Sequence, residues 1–408
     1  MSGPLEGIKV IDCGVYQAGP TAATILGDLG ADVIKVEPCV SGDPGRFIEV
    51  LFLSTHGMHP GQIPKGVGEF EIWNRNKRSI TLDLAKEKGR EVFYRLVGTA
   101  DVMINNWRTG VAERLKVDYE TLLQYNPKIV YGHISGWGTK GPESEEPALD
   151  FAAIARSGMA YQAGKSNDPP VLFVSGYADT TGGIILSQGI LAALVARERQ
   201  QVGEKVEVSL LGSLVAGLER LPVSTKAQSG LDMLRKDRAE IDNPLWNYYK
   251  CQDGKWISVA MAESDRYWSP FCKALSISEI ENDPRFSNRE ARSKNTQALF
   301  HMLEEAFAKK PQEEWLRILR QYKLIYAPIQ TIGDLLSDPQ VLENQYVFNY
   351  DHPVHGPIKV AGFPWNFSKM VLDIRLPAPE IGQHTEEILR ELGYSHQDIL
   401  DFKGQKII

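Results

Sequence analysis

Cysteine is scarce in this sequence. Cys13, Cys39, Cys251 and Cys272 are the only four in 408 residues, and no two of them form a C-x-x-C pair. This spacing excludes a disulfide framework and a redox dithiol motif. The opening "MSGPLEGIKV" also lacks the apolar core of a signal peptide, so the expected compartment is the reducing cytoplasm.

Long hydrophobic runs and an excess of basic charge are also missing. No apolar run approaches the roughly 18 residues that span a bilayer. The longest, "GGIILSQGILAALVA", contains a serine and a glutamine and is typical of a buried helix. The formal net charge is −7, with the lysines and arginines scattered among acids. A membrane or nucleic-acid partner is therefore not expected, whereas a local basic pocket for a small anion is compatible with this pattern.

What the sequence has is a regular alternation of β-rich and helical segments. Strand patterns occur at 7–14, 31–37, 78–84, 101–107 and 128–135. Helical patterns lie between them, at 19–30, 85–100 and 118–127. This alternation predicts an α/β fold with a doubly wound, mostly parallel, Rossmann-like sheet.

The length predicts two domains, because a single core rarely grows to 408 residues. We expect a large domain over 1–226, a smaller α/β domain over 227–327, and a return segment over 328–408 that packs on the first domain. The smaller domain should open with the hairpin "WNYYKCQDGKWISVAMA", whose turn is Asp253-Gly254. The insertion between Gly45 and Asn74 is rich in Gly, Pro and His, and a loop this long is expected near the substrate.

One glycine motif raises the question of a dinucleotide. Gly136, Gly138 and Gly141 have the G-x-G-x-x-G spacing. A working fingerprint needs a helix to begin there, so that its N–H groups meet the pyrophosphate. Gly141 is instead followed by Pro142 and the acidic "ESEE", which would repel that group. We interpret the motif as a strand-exit loop, and an NAD or FAD enzyme is not expected.

A series of sequence blocks runs from about residue 4 to the C-terminus. The blocks are "PLEGIKVIDCGVYQAGPTAATILGDLGADVIKVE", "GDPGR", "NRNKRSITLDL", "ADVMINNWRTGVAERL", "NPKIVYGHISGWGTKGP", "YADTTGGIILSQGILAALVARE", "GEKVEVSLLGSL" and "IGQHTEEILRELGYSHQDI". In this order they resemble the family III CoA-transferases, which include formyl-CoA and carnitine CoA-transferases. The resemblance implies an enzyme that moves CoA from an acyl-CoA thioester to a carboxylic acid. It also implies no prosthetic group, no metal, and an interlocked dimer of identical or related subunits.

The resemblance also implies the reacting residues. It makes Asp179 of "SGYADTTGG" the nucleophile, which passes through an aspartyl anhydride and an aspartyl-CoA thioester. Gln17 of "VYQAGP" lies beside the reacting centre, and Ala18 with Gly19 lets the ligand approach closely. Two alternatives remain open from the residues alone: Asp179 as a helix N-cap, and Gln17 as a polar residue at a strand exit.

CoA carries phosphates and an adenine, so its site needs cationic and aromatic side chains. "NNWRTGVAERL" resembles the family's Asn-Phe-Arg-Pro-Gly segment, with Trp107 in place of Phe and Thr109 in place of Pro. Pro38 stands where some relatives have an arginine that contacts CoA, so that contact is not expected. The candidate CoA contacts are Ala18, Asn106, Trp107, Arg108, Arg114, Lys77 and Arg78, although each charge alone is more often a solvated surface group.

The sequence departs from formyl-CoA transferase in one respect. That enzyme has a glycine-rich loop in its small domain, whereas the corresponding region here reads "IDNPLWNYYKCQDGKW". Residues 46–73 are therefore the candidate lid that excludes water. In both features the chain resembles relatives that act on bulky or aromatic acids, such as phenyllactate or benzylsuccinate.

Two other functions remain as alternatives. α-Methylacyl-CoA racemases share the fold of the family III CoA-transferases and need a histidine directly before an aspartate. Here Leu149 precedes Asp150, and His133 lies elsewhere on a strand. A non-catalytic subunit of a heteromeric transferase is the second alternative, against which an intact nucleophile argues. His352 and His355 have a spacing found in metal sites, but nothing nearby completes one and a surface turn is expected.

Overall fold

The computed structural model describes residues 3–47 and 68–408. Its central element is a six-stranded sheet in the order β3-β2-β1-β4-β5-β6, and all neighbouring strands are parallel. The strands are β1 (Lys9–Asp12), β2 (Asp32–Glu37), β3 (Lys77–Thr81), β4 (Val102–Asn105), β5 (Val130–Ser135) and β6 (Glu204–Ser209). This is the strand order of doubly wound dinucleotide-binding folds. The predicted α/β fold is confirmed.

Helices cover both faces of this sheet. Consecutive strand residues such as Val10 and Ile11 belong to two separate apolar cores, because side chains alternate between the faces of a strand. Outside the second unit described below, the helices are Ala18–Asp28, Glu69–Asn74, Glu87–Gly98, Val111–Arg114, Tyr119–Leu122, Asp150–Ser157, Met159–Gln162, Tyr177–Gln200, Leu210–Gly217, Arg220–Ser229, Thr385–Glu391 and His396–Gly404, with a 3-10 turn at Pro44–Phe47.

The helix Tyr177–Gln200 is the one described helix whose length and apolar composition would allow it to cross a bilayer. It also has the composition expected of a core helix. Ala178, Leu186 and Ile190 are fully buried in the core on the Val10 side of the sheet, and Gly183 packs against Thr21 of the first helix. A charged pair closes its far end, where Arg197 lies 2.9 Å from Asp101. Burial in this core accounts for the apolar side chains on one face, whereas Ile184 and Val195 are 42% and 54% exposed.

The chain divides into two compact units. The first comprises residues 1–161, 172–232 and 349–408, and the second comprises 162–171 and 233–348. The second unit contains the predicted hairpin, formed by β7 (Trp246–Lys250) and β8 (Trp256–Ala260), and Gly254 in its turn has φ +81°. β9 (Tyr326–Ile329) pairs with β8, so this unit extends past the expected end at 327.

The remaining elements complete both units. The helices of the second unit are Ser264–Leu275, Arg289–Lys294, Thr296–Phe307, Gln312–Gln321, Ile332–Leu335 and Pro339–Glu343, with 3-10 turns at Arg238–Glu240 and Ser278–Ile280. β10 (Val347–His352) and β11 (Gly356–Ala361) form a two-stranded sheet. The helix expected over 118–127 covers only Tyr119–Leu122, because the Asn126 side chain turns back to donate to the Val97 and Ala100 carbonyls.

Four buried charges lie together around the end of β1: Asp12 is its last residue, Lys35 lies within β2, Asp43 follows β2, and Lys77 begins β3. The Lys77 ammonium donates to Asp12 Oδ2 at 2.8 Å, and Lys35 Nζ lies 2.7 Å from Asp43 Oδ2. All four side chains are at most 1% exposed. Burial lowers the pKa of Lys77 to about 8 against the opposing attraction of Asp12. Because each charge is desolvated, each depends on its partner.

This charge network fixes the loop that follows β1. Lys35 Nζ donates to the Gly14 carbonyl at 2.9 Å, and Asp43 Oδ1 accepts from the Tyr16 N–H at 2.9 Å. Asp12 Oδ1 accepts from the Gly14 N–H at 2.8 Å. The loop that carries Gln17 is therefore held from both sides by buried charged groups.

Replacing Lys77 by methionine is expected to lower the free energy of unfolding by about 3–5 kcal/mol, because Asp12 loses its closest cation while remaining buried. Urea unfolding followed by tryptophan fluorescence measures the change. Lys294→Met is the matched control, since Lys294 forms an exposed pair with Glu290 at 2.6 Å and should cost at most about 0.5 kcal/mol. Equal losses in the two variants would contradict a structural role for the buried network.

Candidate active site

The reversal of strand order between β1 and β4 marks the expected ligand crevice of a doubly wound sheet. Two loops leave the carboxyl ends of these strands. Asn106, just after β4, donates to the Val15 carbonyl at 2.8 Å and accepts from the Val15 N–H at 2.8 Å. Asn106 thus joins the two loops, and its side-chain amide is engaged within the protein.

Gln17 connects this crevice to the start of the helix Tyr177–Gln200. Its Nε2 donates to Thr180 Oγ1 at 2.9 Å and lies 3.3 Å from the Gly176 carbonyl oxygen. Ala18, the next residue, is buried. A Cβ added to Gly183, which lies in the helix Tyr177–Gln200, would be 2.9 Å from the Ala18 carbonyl oxygen. The structure therefore brings the loop after β1 directly against the residues on both sides of Asp179.

Asp179 is the third residue of this helix and not its N-cap. The N-cap is Gly176, whose φ is +98°. A glycine has no side chain that could accept a hydrogen bond from the first turn. Among the described hydrogen bonds, none reaches the Asp179 carboxylate. The helix-cap alternative for Asp179 is therefore wrong.

The helix is capped from outside by Asp150. Its carboxylate accepts from the N–H groups of Gly176 at 2.9 Å, Ala178 at 2.7 Å and Asp179 at 3.1 Å. Asp150 is itself the first residue of the helix Asp150–Ser157 and is 4% exposed. The sequence analysis missed this role. The available signal was the absence of Ser, Thr, Asp or Asn at position 176, which implies an acceptor from elsewhere in the chain.

The surroundings of Asp179 make it weakly acidic. Burial raises the pKa of its carboxyl to about 7, and the charge of Asp150 adds to the rise. The carboxyl is consequently present in both protonation states at neutral pH. A carboxylate in such a setting is more basic, and so more nucleophilic, than one in water.

Two of the candidate CoA-binding cations are unpaired in the described part of the chain. Arg108 and Arg114 are exposed, and no described acid forms an ion pair with either guanidinium. Arg108 and Trp107 border a cavity of about 270 Å³. The cavity is also bordered by Asn105, Tyr119, Tyr131, His133, Thr139 and Lys205, and by four acids, Glu113, Asp118, Glu120 and Glu207.

Lys77 and Arg78 differ from these arginines because their charges are satisfied inside the chain. Lys77 is fully buried, and besides Asp12 its ammonium contacts the Trp73 carbonyl at 2.8 Å. Arg78 pairs with Asp32 at 2.7 Å and with Glu387 and Glu391 at 2.8 and 2.7 Å. Neither ammonium nor guanidinium is available to a phosphate without breaking these contacts. Of the candidate lid, 46–73, residues 48–67 lie outside the described part of the chain.

The histidines at 133 and beyond, which the structure describes, do not assemble an alternative site. His133 lies on the same side of the sheet as Tyr131, opposite the helix Tyr177–Gln200, and its Nδ1 is 2.8 Å from Asn105 Oδ1. His352 is buried rather than exposed in a surface turn: its Nδ1 accepts from the N–H groups of Val354 and His355 at 3.1 and 3.2 Å. Within 3–47 and 68–408, no three His, Cys, Asp or Glu side chains cluster as metal ligands would.

The family model described as CoA-transferase family III matches residues 5–385. The chain belongs to this family. It is 31% identical to the (R)-2-hydroxy-4-methylpentanoate CoA-transferase of Clostridioides difficile, covering 99% of each chain. It is 30% identical to the cinnamoyl-CoA:phenyllactate CoA-transferase of Clostridium sporogenes, covering 99% of this chain and 97% of that protein. A CAIB/BAIF family protein from Brucella suis has a similar crystal structure, with TM-score 0.81, 29% identity, and coverage of 96% of this chain and 100% of that one.

These relationships confirm the resemblance found in the sequence blocks. The protein is an acyl-CoA:carboxylate CoA-transferase, with CoA thioesters and carboxylic acids as its class of substrate. Both relatives described above are named as CoA-transferases, and neither is named as a racemase or as a non-catalytic subunit.

Replacing Gly176 by alanine tests whether this residue holds the site together. A Cβ there would lie 2.7 Å from Gln17 Nε2, in addition to the strain of a positive φ. Gly141 has nearly the same φ, +97°, but open space around its Cβ position, so Gly141→Ala isolates the strain. Both variants should lose about 1–2 kcal/mol of folding free energy, whereas only Gly176→Ala should lose at least tenfold in CoA-transfer rate. Equal activity in the two variants would contradict the contact with Gln17.

Proposed function

We propose that Asp179 is the nucleophile through which this CoA-transferase carries its acyl group. The observation that supports this most directly is the contrast between two neighbouring aspartates: Asp150 accepts three backbone N–H groups, and the Asp179 carboxylate accepts none in the described structure. An unpaired carboxylate at a helix start, surrounded by small residues such as Gly182 and Gly183, is suited to attack on a thioester carbonyl.

The proposed reaction conserves its atoms without water, metal or ATP. A carboxylate oxygen of Asp179 attacks the thioester carbonyl, and the CoA thiolate leaves to give a mixed anhydride. The thiolate then attacks the aspartyl carbonyl, which releases the first acid and forms an aspartyl-CoA thioester. The incoming carboxylate attacks this carbonyl and releases the thiolate. The thiolate finally attacks the new acyl carbonyl, which frees Asp179 and the new acyl-CoA.

Gln17 is proposed to bind the reacting acid. Its amide already lies against Thr180 and Gly176 on either side of Asp179, at hydrogen-bond distance from both. An amide can donate to a carboxylate oxygen and also to the oxygen of a tetrahedral intermediate. Such a donor would bring the acid within reach of the aspartyl carbonyl and lower the barrier to attack.

Arg108 and Arg114 are proposed to bind the phosphates of CoA, with Trp107 offering an aromatic face to the adenine. Both guanidiniums are exposed and without ion-pair partners in the described residues, and guanidinium forks match phosphate geometry. Ala18 and Asn106 are proposed to hold the backbone in position beside the ligand. Lys77 and Arg78 are left out of this proposal because their charges already have buried or paired acids.

A bulky, apolar or aromatic acid is the proposed acceptor. The relatives named for 2-hydroxy-4-methylpentanoate and phenyllactate support this class. Exposed apolar side chains also occur next to the two aspartates in the chain: Leu149 precedes Asp150 and is 72% exposed, and the exposed Tyr177, two residues before Asp179, stands edge-on to Phe173 with ring centroids 5.7 Å apart. Burial of such exposed apolar surface by an apolar acid would be favourable.

The assembly and compartment are proposed from the family and the cysteines. We infer a dimer of identical or related chains that works in the cytoplasm. Four free cysteines, of which Cys13, Cys251 and Cys272 are buried, are consistent with a reducing compartment.

Transfer of oxygen tests the covalent route. With an acceptor whose carboxylate carries oxygen-18, each turnover should leave one labelled oxygen on Asp179, because the acceptor oxygen that attacks the aspartyl carbonyl stays there after the final step. Peptide mass spectrometry after incubation with acetyl-CoA or succinyl-CoA measures the label. Phenyllactate, 2-hydroxy-4-methylpentanoate, glutarate and oxalate serve as labelled acceptors and rank the acid class in the same experiment.

Two variants control this measurement. Asp179→Asn should abolish both the label and CoA transfer, with a rate loss of about 10⁴ or more, as expected for a covalent nucleophile. Glu198→Gln removes an exposed acid at the far end of the same helix and should label like the wild type. Label at another residue, or active transfer without label, would refute Asp179 as the nucleophile.

Loss of the Arg108 guanidinium should weaken CoA binding selectively. Arg108→Gln is expected to raise the KM for the acyl-CoA about tenfold with little change in kcat, because the phosphate contact is the same in the ground and transition states. Comparing acyl-CoA with its dephospho form shows whether the contact is to the 3′-phosphate, in which case the variant should no longer distinguish the two. Arg266→Gln, an exposed arginine in the second unit, is the control. An unchanged KM in Arg108→Gln would remove this residue from the CoA site.

A further inference from the structure

The first turn of the helix Tyr177–Gln200 has N–H groups that no carbonyl within the helix can accept, and an acid at the third helical position can accept such a group. Here Asp150, from a different helix, occupies the N–H groups of Gly176, Ala178 and Asp179. The N–H of Thr180 is already bonded within the helix, to the Gly176 carbonyl at 2.9 Å. Three amide donors of this turn are thus bonded to Asp150 and not to Asp179.

Those donors would otherwise reduce its reactivity. A carboxylate that accepts two or three backbone N–H groups is strongly stabilised in its charged form and becomes a weak base. With Asp150 in place, the two carboxylates have different environments: the buried Asp150 accepts three backbone N–H groups, and the half-buried Asp179 accepts none in the described residues. Environments that separate two acids in this way assign them different chemical roles.

We propose that Asp150 is a positioning residue that keeps Asp179 unpaired and reactive, by occupying the amide donors of the turn that carries it. This proposal rests on Asp179 as the nucleophile. Asp150 is not itself placed in contact with substrate. Its contribution is to fix the first helical turn and to hold a negative charge beside the attacking carboxylate.

Among the residues that the structure describes, Asp150 is the charged group that acts on Asp179 from the elements packed around it. Other charged side chains on those elements have partners elsewhere. Asp28 of the first helix pairs with Arg75, Arg156 pairs with Glu143, and Lys205 of β6 pairs with Glu207. Within the helix itself, Arg197, Glu198 and Arg199 lie about 27 Å along the axis, beyond effective reach.

Asp150→Asn is the decisive substitution because it keeps the shape of the side chain. Its remaining oxygen can accept from Ala178 and Asp179, which share Oδ1 in the wild type, while its NH₂ faces the N–H of Gly176. The negative charge is lost. Titration of Asp179 should therefore shift to lower pH by about one unit, while burial keeps its midpoint above the ordinary value of about 3.9.

The titration is measured without any substrate, by carbon-13 NMR of protein labelled at the aspartate side-chain carboxyl carbons. The Asp179 signal is identified by its absence in Asp179→Asn.

Asp150→Glu restores the charge and should return the midpoint of the Asp179 titration to within about 0.3 pH units of wild type. Asp150→Ser also removes the charge and retains one acceptor, so the test does not depend on a single variant folding. Asp338→Asn is the matched control, because Asp338 caps a helix by accepting from Gln340 and Val341 in the other unit.

Rates complete the test. The wild-type transfer rate should rise with pH through about 7, as Asp179 loses its proton, and level off above it. In Asp150→Asn the rise should move to lower pH with the NMR midpoint, and the KM for acyl-CoA should change less than twofold. A lower rate with both midpoints unmoved would overturn the proposal and leave Asp150 a purely structural cap. Wild-type transfer without label on Asp179 would instead refute the nucleophile, whatever the NMR midpoints show.

Discussion

The ion pairs between Lys35, Lys77, Asp12 and Asp43 are the constraint on which the rest of the site depends. Two lysines are buried side by side, which is tolerated only because two aspartates neutralise them. These aspartates also accept from the N–H groups of Gly14 and Tyr16. The same two side chains therefore neutralise the buried lysines and fix the path of the loop after β1. The loop can present Gln17 at a fixed position because changing its path would leave a buried charge unpaired.

The helix that carries Asp179 meets this loop at a point that tolerates little variation. Gly176 has a positive φ, a Cβ there would lie 2.7 Å from the Gln17 amide nitrogen, and Asp150 binds the same turn. Three separate segments of the chain, at residues 17, 150 and 176–180, therefore meet within a few hydrogen bonds of one carboxylate. A catalytic side chain in an unfavourable environment keeps its position only when several independent contacts hold the surrounding backbone.

Much of this fold could be predicted from the sequence, because its signals are local. The apolar strands of the doubly wound sheet, the small-residue helix beginning at Ala18 and the Asp253-Gly254 hairpin turn each depend on a few neighbouring residues. The contacts between distant segments could not be predicted. Lys77 has the appearance of a solvent-facing cation in "NKRS", but its burial depends on Asp12, 65 residues away. Asp150 likewise shows no sign in its own segment that it caps a helix beginning 27 residues later.

Placing an unpaired carboxyl in this environment opposes folding as well as assisting the reaction. The pKa of Asp179 is about 7 in the folded chain and near 3.9 in an unfolded one. The folded state therefore keeps a proton that the unfolded state releases, and the free energy of unfolding falls as pH rises from about 4 to about 7. The shift corresponds to a loss on the order of 4 kcal/mol, which is complete above pH 7. That is where the ionised nucleophile predominates, so the pH range that favours attack is the one in which the surrounding framework is most needed.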